Sequence, residues 1–315
     1  MVSRWISRSA VGALTVSAAL LAPQSLVSTA PAGAVPANCA PPQVSVAVPA
    51  PVPVASWAES LTRDSAGDLW VSRTLANTVQ RYDATGRLRT TVSVSAPGAV
   101  RSGPDGRLYV TSGATPLNMI PGTPNVGTIV SFDPRRPRPV VRTVVRGLGM
   151  PNGLAIAEDG AMYVADSKLG VVRIRPNRTI DQAWTARAPR NLAPSVTVNG
   201  TGMNGIVLRG DAVYVTMTSS LSGRVLRVPL RHPEATTPAL DLTAPLPGFV
   251  DDLTLLSNGA LAAATTTGQI IVATPGRPGR CVIQVGPPVT AVLGDADGNL
   301  LAASETGDVL AVRWP

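Results

Sequence analysis

Asp105-Gly106-Arg107-Leu108-Tyr109-Val110 is the stretch that decides the fold. Its Asp-Gly pair supplies the positive-φ position of a tight turn, and strand formers grouped around one aromatic follow it. The pattern returns as Asp159-Gly160-Ala161-Met162-Tyr163-Val164, Asn258-Gly259-Ala260-Leu261-Ala262-Ala263 and Asp297-Gly298-Asn299-Leu300-Leu301-Ala302. Asp68-Leu69-Trp70-Val71 and Ala212-Val213-Tyr214-Val215 bring the set to six. The marker positions are therefore 70, 109, 163, 214, 262 and 301, at intervals of 39 to 54 residues. An apolar strand precedes each marker strand and a third strand follows, as at Thr78–Tyr82, Arg224–Pro229 and Gln269–Ala273. Repeats of about 40–50 residues with four short strands each predict an all-β, six-bladed β-propeller. The sixth unit shows only three strands. The proline-rich segment 43–54 can supply its outer strand, so that the N-terminal strand closes the last blade without a free edge.

Composition narrows the function. With 44% hydrophobic and 15% charged residues, the 315-residue chain has the makings of a packed core rather than a disordered polymer. A net charge of +8 invites a nucleic-acid partner, yet Lys168 is the only lysine, arginines run the whole length and aromatics are 3%. No clustered basic surface with stacking aromatics is expected, and hence no nucleic-acid binding. Arg4 and Arg8, the apolar run 10–22 and the small-x-small Ala32-Gly33-Ala34 read as an export signal. The expected organisation is a secretory signal peptide over 1–34, a linker over 35–42 and the propeller over 43–315. The product is expected to be secreted and monomeric, with no membrane span after signal removal. Export puts Cys39 and Cys281 in an oxidising compartment. They fall where the N-terminal segment enters blade 6 and on the outer strand of blade 5, and a disulfide between them would fasten the closure.

Counting back from each marker to the start of the innermost strand gives Glu59, Gly98, Asn152, Asn204, Asp251 and Thr290. A propeller brings these equivalent positions to one axis. Glu59, Asn152, Asn204 and Asp251 would form a hard-oxygen cage suited to Ca²⁺, or another divalent metal, with waters completing the shell. Two carboxylates side by side in a narrow channel would be costly without a cation. Each residue taken singly has a plainer reading. Asn152-Gly153 and Asn204-Gly205 are common turn dipeptides, Glu59 could be a surface acid, and Asp251-Asp252 could simply begin a strand.

The repeat, together with Asn152-Gly153-Leu154 and the order Glu59, Asn152, Asn204, Asp251, resembles the gluconolactonase/regucalcin (senescence marker protein) family. It is also similar to diisopropyl fluorophosphatase. The resemblance implies a six-bladed propeller with Ca²⁺ in its central tunnel, held by Glu59, Asn152, Asn204 and Asp251, and with Asp251 as the catalytic base or nucleophile. This chain departs from the family where Ser60-Leu61-Thr62 follows the glutamate in place of Gly-Pro and an aromatic. Asp252 stands beside Asp251 as an alternative ligand, and the family's second-blade substrate-binding arginine has no placed equivalent, Arg101 lying only near that position. No Gly-x-Ser-x-Gly elbow occurs, and the one histidine, His232, lies in a turn expected on the far face.

Two functions follow. The first is a secreted Ca²⁺-dependent hydrolase of lactones or related small-molecule esters; the alternative is a non-catalytic ligand- or protein-binding propeller with a structural Ca²⁺. The long loop 113–127 is expected to wall the pocket, with Asn118 and Met119 at its tip.

Overall fold

The computed structural model describes residues 37–38, 40–191, 195–246, 248–295 and 298–313. The expected signal peptide and Cys39 lie outside the described residues. Six antiparallel sheets follow one another along the chain. Blade 1 comprises Ala58–Arg63, Leu69–Arg73, Thr78–Tyr82 and Leu88–Ser93, ordered from axis to rim. Each innermost strand lies against that of the next blade, and Val289–Gly294 of blade 6 lies against Ala58–Arg63 of blade 1, so the ring closes. Blade 6 takes its outermost strand from the other end of the chain, Gln43–Val48, which pairs antiparallel with Val309–Arg313. Ala37–Asn38, inside the segment expected as a linker, runs parallel to Arg280–Gln284 with Ala37 opposite Cys281. No free cysteine occurs among the described residues.

The six markers repeat because each fills an interface between blades. Trp70 packs with Phe132 and Val100 between blades 1 and 2, their ring centroids 5.3 Å apart for the aromatic pair. Tyr109, Tyr163, Tyr214 and Ala262 occupy the next four interfaces, and Leu301 packs into the one between blades 6 and 1. The apolar core is thus six wedges rather than one mass, and removing one marker opens one wedge. Arg73 ties the closing interface together. It is fully buried and donates to Ser56 O (2.8 Å) and Gly307 O, to Gln80 Oε1 (3.2 Å) and to Tyr82 Oη (3.0 Å), with no carboxylate partner among the described residues. Neutral oxygens from blades 1 and 6 replace its hydration.

Blade 3 corrects the expectation of four strands per unit. Among the described residues it has only Pro151–Ile156, Met162–Asp166 and Gly170–Ile174. The short helix Gln182–Thr185 stands where a fourth strand would be, capped by Asp181, which accepts from Trp184 N at 3.2 Å. The edge left by the missing strand is satisfied locally. Val171 N donates to Pro189 O (3.0 Å) and Arg173 N to Thr185 Oγ1 (3.2 Å), so no open ladder is exposed there.

The antiparallel order divides the loops between two faces. Starts of innermost strands, second-to-third strand loops and blade-to-blade connections share one face, called here the upper face. The other hairpin loops form the lower face. No helix of the described residues is long and apolar enough to cross a membrane.

Candidate functional site

The site is made at the upper ends of the innermost strands. All six break register with their neighbours there, for example between Ala58 and Ser60, Pro151 and Gly153, and Val250 and Leu253. Such bulges re-aim side chains, and here they turn successive residues toward the axis. Asn152-Gly153 and Asn204-Gly205 prove to be strand residues, not turns. The glycines are there because neighbouring inner strands converge. A Cβ on Gly153 would overlap Asn204 O, and one on Gly205 would lie 2.6 Å from Asp252 Cα. Hydroxyls of one blade pin the backbone of the next: Ser72 Oγ donates to Gly98 O (2.6 Å), Thr111 Oγ1 to Asn152 O (2.9 Å) and Thr216 Oγ1 to Asp251 O (2.7 Å). Thr290 Oγ1 donates likewise to Ala58 O. Thr290 therefore acts through its hydrogen bond to blade 1, and Gly98 contributes only backbone.

Three of the four residues expected as oxygen ligands share one small cavity, and the fourth, Asp251, is not in its wall. Glu59, Asn152, Asn204 and Thr290 line one small axial cavity of about 10 Å³, with Arg101 and Asp252 also in its wall. Asp251 joins them through a hydrogen bond from Asn204 Nδ2 to its Oδ1, while the same Nδ2 donates to Thr218 Oγ1 at 2.9 Å. Glu59 Oε2 accepts from the Trp57 indole at 2.7 Å. The side-chain amide of Asn152 makes no protein hydrogen bond among the described residues, although Asn152 is only 8% exposed. Asp252 has a different fate: Arg101 reaches across the channel from blade 2 and pairs with it at 3.0 Å, while donating to Ser60 Oγ at 2.7 Å. Arg101 is thus an internal strut rather than a group presented to a substrate.

The electrostatics follow from this crowding. Burial pushes the Glu59 carboxyl up to about 7; the charges of Asp252 and Glu305 add to the push, and the Trp57 bond opposes it. Burial, then the charges of Glu59, Asp252 and Glu305, holds Asp251 well above the ordinary carboxylate range. Burial also raises Asp252, with Arg101 pulling it back. Glu305, in the blade 6 loop above the ring, is a further acid that the repeat register could not locate, and burial raises it as well. Its signal was the sequence Glu305-Thr306-Gly307, where blade 5 has Thr266-Thr267-Gly268.

These features test a divalent cation. Two uncompensated carboxylates, an unpartnered amide and room for one ion- or water-sized guest fit a hard cation with oxygen ligands. Among the described residues no group of three or more His, Cys, Asp and Glu could hold a metal, so the set depends on its two amides. His232 plays no part: it is exposed on the lower face, 3.4 Å from Glu234. Asn118 does not form the loop tip as expected. Its Nδ2 folds back onto Gly113 O at 2.8 Å, and Leu117 and Ile120 project instead. A cleft of about 1060 Å³ opens between blades 3 and 4 beside the helix that stands in for a fourth strand of blade 3, and its wall of Asp159, Tyr163 and Arg173 belongs to the lower side, away from the ring.

The fold is a six-bladed β-propeller, with buried carboxylate and amide side chains gathered at one mouth of its channel. Solved structures share this architecture. One is a gluconolactonase from Xanthomonas campestris, 17% identical with a TM-score of 0.61, covering 89% of this chain and 97% of that one. Another is regucalcin, described as a calcium-binding protein, from Agrobacterium tumefaciens: 16% identical, TM-score 0.59, covering 86% and 96%. A third is a catalytically inactive histidine-to-alanine form of virginiamycin B lyase from Staphylococcus aureus, with quinupristin: 17% identical, TM-score 0.56, covering 81% and 80%. At these identities the likeness shows the fold. No family model matches the chain, and no curated protein matches it in sequence.

Proposed function

We propose that the protein is a secreted hydrolase of lactones or related small-molecule esters that uses a divalent cation, Ca²⁺ by its donor set, in the upper mouth of the channel. The observation that supports this is that Glu59, Asn152 and Asn204 line one ion-sized cavity and Asp251 is hydrogen-bonded to Asn204, with neither Glu59 nor Asp251 paired to a cation among the described residues. Glu59, Asn152, Asn204 and Asp251 would hold the cation. When bound, it supplies Lewis-acid polarisation of the substrate carbonyl. Asn204 fixes the Asp251 carboxylate through its Nδ2, leaving the second Asp251 oxygen to take a proton from water. The water oxygen bonds to the carbonyl carbon, the carbon–oxygen bond of the ester breaks, and the leaving oxygen receives the proton that Asp251 took. The Trp57 indole keeps Glu59 oriented.

A histidine-dependent lyase reaction is disfavoured, because the only histidine is on the lower face. The second reading is a non-catalytic binding propeller with structural Ca²⁺. Titration of metal-stripped protein with Ca²⁺, followed by a lactone and ester panel with and without chelator, separates the two. Turnover that survives complete removal of metal overturns the hydrolase reading; tight Ca²⁺ binding with no turnover of any substrate selects the second. Export and closure carry their own check: non-reducing peptide mapping of the secreted protein is expected to find Cys39 joined to Cys281.

A further inference from the structure

The upper face is nearly devoid of charge, and several of its polar groups are engaged within its loops. Among its described loop residues the charged side chains are Lys168, Arg190, Glu305 and Asp308. Lys168 is spent on the blade 2 loop, donating to Thr123 O at 2.6 Å, and Asp308 accepts from Ala50 N at 2.7 Å. Several neutral polar residues are similarly engaged. Asn77 accepts from Ala96 N (2.7 Å), Asn199 donates to Ser222 Oγ (2.9 Å) and Thr243 Oγ1 donates to Leu246 O (2.8 Å).

What these loops turn outward is apolar. Leu75, Leu117, Ile120, Leu221, Leu246 and Phe249 are all exposed, Leu117 by 69% and Leu246 by 68%. They come from blades 1, 2 and 4 and from the connection into blade 5, so they are spread over several sides of the mouth rather than marking one spot. Phe249 is two residues from Asp251. The lower face differs: its loops carry Asp64, Asp83, Asp133, Arg135, Glu158 and Arg231, among many other charges. Several large apolar side chains exposed on one face around a site point to recognition more than to a solubility accident.

We propose that the substrate is an amphiphile: an ester or lactone whose carbonyl reaches the ring while its alkyl chain lies across the apolar loops. This rests on the hydrolase reading for the reacting group, and on the loops alone for the chain. A sugar lactone would need free hydrogen-bonding groups on these loops, and the polar side chains just named are engaged within the loops. A ring cavity of ion size also means that the body of the substrate stays above the ring, against these loops.

The test uses the Ca²⁺-loaded full-length secreted protein and a series of γ-lactones with lengthening alkyl chains, alongside gluconolactone. Burial of one methylene corresponds to about a fourfold gain at full effect, so kcat/KM is expected to rise about two- to fourfold per methylene. Leu117→Ser and Phe249→Ser, both at exposed positions, should flatten this slope and leave the Ca²⁺ affinity unchanged by calorimetry. Binding of non-hydrolysable alkyl methyl ketones of matching lengths is measured in parallel. A chain-length slope in binding without any turnover upholds the apolar site and sinks only the hydrolase reading. A flat series in both assays, or a preference for gluconolactone, overturns the proposal. Sedimentation with phosphatidylcholine vesicles alongside a flat series would assign the face to a bilayer and overturn it equally.

Discussion

Asp251 and Asp252 are neighbours in one strand, each only 6% exposed, and they have opposite electrostatic fates. Asp252 is matched by Arg101, which spans the channel to meet it at 3.0 Å. Asp251 has an amide for company and three further acids within electrostatic reach. A buried carboxylate with a cation partner is a structural strut; one without is destabilising unless something else supplies the charge. The bulge that aims both side chains inward makes this division of labour available to adjacent residues.

The largest expected effect comes from removing the unpaired member. Asp251→Asn should lower hydrolytic activity by about 10²–10⁴-fold, as loss of a general base does, and weaken Ca²⁺ binding as well. The metal-free variant should be at least as stable as the parent, since an uncompensated charge has gone. Asp252→Asn should act in reverse. It strands Arg101 and costs about 3 kcal/mol of stability, while Ca²⁺ affinity changes less than in Asp251→Asn. The double variant Arg101→Met with Asp252→Leu should recover most of that loss. Calorimetric Ca²⁺ titration and denaturant unfolding of the three proteins decide the matter. If Asp252→Asn abolishes Ca²⁺ binding while Asp251→Asn spares it, the two roles are interchanged.

A pH series on metal-free protein is the next, smaller test. An acid whose folded-state value is raised holds its proton in the native state over a range where the unfolded chain has lost it. The native state therefore binds more protons between the ordinary glutamate value of 4.5 and about 7, and stability falls as pH rises through that window. Asp251 acts in the same direction. Saturating Ca²⁺ favours the ionised carboxylates and should flatten the fall. Unfolding midpoints at pH 5 and pH 7.5, with and without Ca²⁺, give the comparison. Equal slopes in both would break the link between ring and cation.

Much of this site was readable in the sequence, because the second-strand markers fix a register that is independent of the ring residues. That register put Glu59, Asn152, Asn204 and Asp251 at equivalent positions, and the blades bring Glu59, Asn152 and Asn204 to one cavity with Asp251 hydrogen-bonded to Asn204. Where it ran out, the cause was contact between blades rather than pattern within one. Arg73, Glu305 and the Arg101–Asp252 strut are defined by partners far away in sequence. Position 98 was placed in register, yet its reason for being glycine is crowding: a Cβ there would meet Thr111 Oγ1 at 2.7 Å. The missing strand of blade 3 escaped too. A four-residue helix with Trp184 packed edge-on to Tyr163 does the covering work that a strand does elsewhere, and it leaves no period-2 pattern.

Trp57 offers the finest adjustment. Its indole N–H is the one favourable contact that holds the ionised form of Glu59, working against burial and the neighbouring acids. Trp57→Phe keeps an aromatic body in a half-buried position and removes only that donor. Hydrogen bonds to charged groups contribute about 1.5–3 kcal/mol, and partial exposure of Glu59 brings the effect toward the lower end. The carboxyl should then titrate higher still, moving the pH-dependent fall in metal-free stability further up the scale, while Ca²⁺ binding weakens about threefold to tenfold at neutral pH as competing protons hold on. Arg101 and Asp252 make no contact with this indole, so the strut and its contribution to stability should be untouched. A Trp57→Phe protein with the parent's pH profile would mean that Glu59 is already held ionised by something other than the indole, and the ring would then have less need of a cation than its unpaired carboxylates indicate.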